Sequence, residues 1–337
     1  MITLYQKLTA ILENHIIDEL GLVFGLPKVD ELPSDSQPYY PLIFIESKLG
    51  FPFQHYNDLI RETDQAMRET TSLKAKEQAS KIMIMLKPDN YTAMNLRKQF
   101  IKSGQITIKD EIHWIDLIFT IQKHCKSGVA WHHRQWLFMH PDAIDYGMDL
   151  DHELQLCART ATLHPRNYYA WNYRRWLLYS YMDTNLLREK EYKESREWVE
   201  QNVSDYSGVH HLSCVVKCLV RHGFDNFEEH LGWTKDLIVQ YPGHEALWYH
   251  LRFCYTFFTN IKTDGHCIIE RIINNNDTKE VEKKQNRQLE LALCFGIWLC
   301  LLEKRSESKS FRSIDKQQND YTARLHKITS IPKYISI

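Results

Sequence analysis

The chain is 337 residues long, 43% hydrophobic and 25% charged, with 42 Lys and Arg set against 43 Asp and Glu. So near a balance excludes the basic field that gathers nucleic acid or an anionic bilayer. Twelve Gly and ten Pro are too few for an all-β chain that must turn every ~8–12 residues, so long helices are expected.

In chain order, Leu4 to Leu20 is amphipathic and predicted helical, followed by a Pro-containing stretch from Pro27 to Pro41 and then Ile43-Phe-Ile-Glu46-Ser-Lys48-Leu-Gly50. Residues 1–85 are expected to form an N-terminal helical cap. From Pro88 onward one pattern recurs. It reads Pro88-Asp-Asn-Tyr-Thr-Ala-Met94-Asn-Leu-Arg97-Lys98, then Lys126-Ser-Gly-Val-Ala-Trp131-His-His-Arg134-Gln135-Trp136, then Pro165-Arg-Asn-Tyr-Tyr-Ala-Trp171-Asn-Tyr-Arg174-Arg175-Trp176, and finally Pro242-Gly-His-Glu-Ala-Leu-Trp248-Tyr-His-Leu-Arg252. A fainter copy, Asp205-Tyr-Ser-Gly-Val-His210-His-Leu, precedes the last, and the anchors 94, 131, 171, 210 and 248 stand 37, 40, 39 and 38 residues apart. Glu280 to Leu302 reads as a closing helix pair, and the polar residues 304–337 are expected to be a partly disordered tail.

Each position of the pattern has a mechanical reason. Pro six places before the anchor stops the preceding helix, and Asn90, Ser127 and Asn167 are N-cap types that start the next one. Trp131 and Arg134, like Trp171 and Arg174, are three residues apart and share a helix face, so an indole can pack between hairpins while a guanidinium reaches carbonyls or carboxylates. Trp248 repeats the anchor. Between the signatures, Leu154 to Leu163 and Phe227 to Val239 carry apolar residues at helical spacing and supply second helices. The expected fold is all-α, an α/α superhelical solenoid of helical hairpins over residues 86–303.

Eight cysteines without a C-x-x-C, no leader peptide and no run of ~18 apolar residues point to reduced thiols in the cytoplasm. Neither end carries an acylation or prenylation signal. His210, Cys214 and Cys218 fall at successive helical turns and have the residue types of a zinc site. Buried thiols in a degenerate repeat are the favoured explanation, and no metal ligands are assigned. His132 and His133 read as packing or interface residues.

The recurrence of Asn-Tyr-x-x-Trp-x-x-Arg-Arg at this period resembles the α-subunit repeat of protein prenyltransferases over roughly residues 86 to 255. Within that family, Glu46-Ser-Lys48-Leu-Gly50, Val203-Ser-Asp205-Tyr-Ser-Gly208 and Tyr241-Pro-Gly-His-Glu245 resemble the type III geranylgeranyltransferase branch. The resemblance implies the α subunit of a heterodimer, inactive alone. Zinc and geranylgeranyl diphosphate are expected on the β subunit, which is shared with Rab geranylgeranyltransferase. The implied substrate is an already farnesylated SNARE, which gains a second lipid and with it stable anchoring. The resemblance places the catalytic lysine at Lys126 and substrate-binding residues at Arg166, Asn167, Tyr168 and Tyr169. Against the family pattern, Gly128 stands where a tyrosine is usual, Tyr169 where farnesyltransferases have histidine, Met94 for the first Trp and His210 for the fourth. The alternative reading is a non-catalytic helical-repeat scaffold that binds a protein partner.

Overall fold

A computed structural model describes residues 2–141, 143, 147–258, 265–276, 283–305 and 311–328. The chain divides into two compact units, Met1–Leu177 and Leu178–Ile337. Among the described residues the fold is all-α apart from one small sheet, and its helices follow one another as hairpins.

The first unit opens on α1 (Leu4–Asn14), started by a capping box in which Thr3 and Gln6 exchange hydrogen bonds. The helix expected to run on to Leu20 stops at Asn14. The β-branched Ile16 and Ile17 and the nearby Gly21 are poor helix formers, and the chain turns into strand β1 (Glu19–Val23). β1 runs parallel to β3 (Lys48–Pro52), which pairs antiparallel with β2 (Ile43–Ile45). The N-terminal segment is therefore part sheet. Leu20, Phe44, Leu49 and Phe51 are buried, and the Leu20 amide donates to Thr120 Oγ1 at 2.9 Å, beyond the end of a repeat helix.

α2 (Tyr56–Glu69) and α3 (Leu73–Leu86) form the first helical hairpin. The repeat helices then follow in chain order as α4 (Tyr91–Lys102), α5 (Ile108–Ile118), α6 (Gly128–Phe138), α7 (Leu150–Leu163), α8 (Tyr168–Ser180) and α9 (Asn185–Gln201). The unit boundary falls inside α8. The predicted caps form: Asn90 accepts from the Ala93 amide at 3.0 Å, Ser127 from Ala130 at 3.1 Å and Asn167 from Ala170 at 3.4 Å.

The second unit continues with α10 (Tyr206–Arg221), α11 (Phe227–Gln240), α12 (Glu245–Phe257) and α13 (His266–Asn276). The faint fourth repeat is thus a full helix, capped by Asp205, which accepts from the Ser207 and Gly208 amides. Where a closing helix pair was expected over 280–302 there is one helix, α14 (Lys283–Arg305), and its partner is α15 (Phe311–Ile328) in the polar C-terminal stretch. Ile314 and Tyr321, seven residues apart on one face, are buried in the same core as Trp248, Leu251 and Phe295. Gly296 is needed there, because a Cβ would lie 2.7 Å from the Tyr321 ring. Residues 306–310 and 329–337 lie outside the described residues. No described helix is long and apolar enough to cross a membrane.

Candidate functional site

Every Trp anchor but the substituted ones is buried, and each does two jobs. Trp131 stacks on Phe119, ring centroids 4.4 Å apart, and its indole N–H donates to the Cys125 carbonyl at 2.8 Å. In the second unit Trp248 donates to Gln288 Oε1 at 3.3 Å, and Gln288 in turn donates to the Ile238 carbonyl at 2.8 Å. Trp171 is buried on the last repeat helix of the first unit.

Arg97, Arg134 and Arg174, three residues on from positions 94, 131 and 171, are also buried, and the first two are each the centre of an ionic cluster. Arg97 pairs with Glu77 and Glu111, and His133 Nε2 lies 2.9 Å from Glu111 Oε1. Arg134 pairs with Glu153 at 2.6 Å and with Asp116 at 2.9 Å, and the Tyr173 hydroxyl donates to Glu153 at 2.8 Å. Each arginine also donates to a main-chain carbonyl at 3.2 Å: Arg97 to Glu77, Arg134 to Ile112 and Arg174 to Leu154. In the second unit Glu191 takes His211 Nε2 at 2.6 Å. Burial alone would raise the Glu111 carboxyl, but the Arg97 guanidinium and the hydrogen bonds it receives hold it at about 2. These charges fix the repeat helices against one another and offer nothing to a ligand.

Lys126 ends the short turn His124–Lys126 just before α6. Its backbone is held from both sides. The Cys125 carbonyl accepts from Trp131 Nε1 and from Asn167 Nδ2, each at 2.8 Å. The Ser127 hydroxyl donates to Asp89 Oδ1 at 2.6 Å while accepting the Ala130 amide. The Lys126 side chain is exposed, and among the described residues no ion pair or hydrogen bond engages its ammonium. A fixed backbone with an unengaged cation is the arrangement that a charge-stabilising lysine requires.

The four residues expected beside it divide. Asn167 is wholly buried, and its amide is used up on the Cys125 carbonyl, the Thr160 carbonyl at 3.4 Å and its own helix cap. It places the Lys126 turn and does not face a ligand. Arg166 is exposed at φ 58°, in the left-handed region. Tyr168 and Tyr169 are 58% and 39% exposed and meet edge to face, centroids 5.5 Å apart. The Tyr169 ring lies over Gly128, where a Cβ would come within 2.5 Å of its Cε1. The two departures from the family pattern are therefore one exchange, a ring from α8 covering the place left by the side chain missing from α6.

Gly128 also floors a cleft of about 400 Å³ between the first turns of α4 and α6, lined by Tyr91, Met94, Asn95, Lys98, Val129 and His132. Lys98 Nζ stands 5.2 Å from the Trp136 ring, and burial, then the neighbouring Lys102, lowers its pKa. His132 lines the cleft and His133 is buried, so the adjacent histidines take different roles. His210 is exposed while Cys214 is buried, so the sequence candidate for a zinc pair is not brought together. The sequence reading missed Lys98 and the carboxylates Glu111 and Glu153. Their signal was present only as charges among apolar positions of the repeat helices.

Three segments, residues 108–141, 150–181 and 227–258, match the protein prenyltransferase alpha subunit repeat. They span α5 with α6, α7 with α8, and α11 with α12. The protein prenyltransferase alpha subunit repeat-containing protein 1 of Danio rerio is 26% identical over 300 residues, covering 71% of this chain and 68% of its own. The geranylgeranyl transferase type-2 subunit alpha of Dictyostelium discoideum is 27% identical over 135 residues, covering 37% of this chain and 42% of its own. In fold, a chain of the Candida albicans protein geranylgeranyltransferase-I complexed with GGPP is similar with a TM-score of 0.54 and 18% identity, over 81% of this chain and 89% of that one. The buried Trp anchors, the capped turns and these likenesses converge: the chain is built on the protein prenyltransferase alpha subunit repeat and is related to the alpha subunits of geranylgeranyl transferases.

Proposed function

We propose that this chain is the α, non-zinc subunit of a cytoplasmic protein geranylgeranyltransferase of type III. Its partner is a β subunit of the Rab geranylgeranyltransferase kind, and the pair adds geranylgeranyl to a cysteine of an already farnesylated SNARE. The likeness to the repeat-containing protein 1 of Danio rerio over 71% of the chain supports this reading. The observation that carries it is the double clamp on the Cys125 carbonyl by Trp131 and Asn167, which fixes the backbone immediately before the exposed Lys126.

Zinc on the β subunit would supply the thiolate nucleophile. This chain's part is electrostatic. As the bond between the isoprenoid carbon and the diphosphate oxygen breaks, negative charge grows on the leaving group, and the Lys126 ammonium meets it without reorganising. Arg166 and the Tyr168 hydroxyl add donors to the same surface. Removal of one such preorganised donor typically costs about 3 kcal/mol, roughly a hundredfold in kcat.

Co-expression with a Rab-type β subunit tests the reading. Copurification, with transfer of labelled geranylgeranyl to a farnesylated SNARE, is the expected result. Lys126→Ala is expected to leave the pair assembled and to lower kcat by about a hundredfold with a smaller change in KM. A stable chain that never pairs, or a pair that transfers no lipid, refutes the enzyme reading and leaves the scaffold.

A further inference from the structure

A second polar cluster lies in the unit Leu178–Ile337. His230 on α11 and His250 and Cys254 on α12 are all buried, and one ligand atom from each lies within 4.8 Å of the other two. His230 Nε2 and His250 Nε2 are 2.9 Å apart. His250 and Cys254 are one helical turn apart and share a face. The donor set is two imidazoles and a thiol, with no carboxylate among them, which suits a borderline-soft cation and not Mg²⁺ or Ca²⁺.

The outer nitrogens are already held. His250 Nδ1 lies 2.8 Å from Ser213 Oγ, and that hydroxyl directs its hydrogen to the Val209 carbonyl at 3.1 Å. The hydrogen of His250 therefore sits on Nδ1, and Nε2 presents a lone pair toward His230. His230 Nδ1 accepts from the Tyr192 hydroxyl at 2.8 Å, and the same hydroxyl oxygen accepts from Arg196 at 3.1 Å. An oxygen behind each imidazole is the outer support that orients metal-binding histidines.

We propose that His230 Nε2, His250 Nε2 and Cys254 Sγ bind a single Zn²⁺, with a water in the fourth position. Zn²⁺ holds nitrogen at ~2.0–2.1 Å and sulfur at ~2.3 Å, which sets tetrahedral ligand atoms roughly 3.3–3.7 Å apart. The imidazoles must part by a few tenths of an ångström and the thiol must close by no more than about 1 Å, changes within reach of side-chain torsions. Binding replaces the hydrogen bond between the histidines. The His230 hydrogen passes from Nε2 to Nδ1, the Tyr192 hydroxyl turns its own hydrogen away so that its oxygen accepts, and the Cys254 thiol loses its proton, so one Zn²⁺ enters and one H⁺ leaves. The site is independent of the Lys126 reading and uses none of its residues.

The test takes the full chain, stripped with chelator and titrated with Zn²⁺ and with Co²⁺ as a spectroscopic probe. One equivalent of metal, one proton released per ion and a thiolate-to-cobalt charge-transfer band are expected. Cys254→Val is expected to abolish the band and weaken binding more than tenfold, and Tyr192→Phe to weaken it about tenfold through the lost outer support. No tight equivalent in the wild-type chain overturns the proposal, as does a bound ion that gives no thiolate band or binds Cys254→Val equally well. If a variant fails to fold, the wild-type band and proton count decide alone.

Discussion

Glu111→Gln is the sharpest probe of the ionic clusters, because it keeps the shape of the side chain and removes its charge. Glu111 is fully buried between Arg97 and His133, and its carboxyl is held at about 2 against an ordinary 4.5. At ~1.4 kcal/mol for each pKa unit, that gap is worth roughly 3 kcal/mol of folding stability. A carboxyl lowered by folding contributes fully above its unfolded value, so the contribution is complete above pH 4.5 and is lost as the pH falls through about 2. Glu111→Gln is therefore expected to lose roughly 3 kcal/mol at neutral pH, with the difference from wild type narrowing steadily below pH 4.5. Urea unfolding at pH 7, 5, 4 and 3, followed by circular dichroism, measures it. A difference that stays constant across this range would show that the loss is one of packing, and no loss at all would show that the pairing is energetically idle. Either result refutes the electrostatic account of the cluster.

Other expectations follow from the Lys126 turn. Burial, then the Lys123 charge, lowers the His124 imidazole to about 4, so the stability it confers is present above pH 6.5 and lost as the pH falls through 4. His124→Phe should flatten the wild-type decline between pH 7 and 4 by about 2–3 kcal/mol in the same urea titrations. Asn167→Ala strips one of the two donors from the Cys125 carbonyl and leaves the Thr160 carbonyl short. It should cost about 2–3 kcal/mol and, in the reconstituted pair, slow transfer although Asn167 touches no substrate. Gly128→Ala should destabilise by about 1 kcal/mol alone and be neutral or stabilising on a Tyr169→Ala background, a coupling that a double-mutant cycle reads directly.

The hairpins were legible because local signals recur at their starts: a helix stop at Pro88, Pro165 and Pro242, an N-cap at Asn90, Ser127 and Asn167, and an anchor at Trp131, Trp171 and Trp248. Even the copy with His210 kept its cap at Asp205, and it folds as a helix. The acidic partners of the arginines were not legible, since Glu111 lies 14 residues after Arg97 and Glu153 lies 19 after Arg134. Connections of unequal length erase a fixed offset. The sheet was hidden because strands of three and five residues carry too little alternation to outweigh a helical pattern running into them from Leu4. In α15 the polar composition masked a narrow apolar stripe at Ile314 and Tyr321. Asn167 matched a ligand-binding motif in type, but tertiary structure turned it inward, which a sequence pattern does not encode. His230 and His250, 20 residues apart, carry no metal-binding spacing and meet only because α11 and α12 fold back on each other.

In the first unit the centre of each ionic cluster is assembled from three successive helices, Arg97, Glu111 and His133 from α4, α5 and α6, then Arg134, Glu153 and Tyr173 from α6, α7 and α8, with Glu77 of α3 and Asp116 of α5 each added from the helix before. The third place is filled once by an imidazole and once by a phenol, so either group closes the arrangement. An array made this way can gain or lose a whole hairpin, since the incoming helix still brings a proton donor to the waiting carboxylate. Losing half of one is costly, because it takes from a buried arginine the carboxylate that accepts from two of its nitrogens. Copy number in such a chain is free to drift only in steps of the full period, and the clusters act as its ratchet.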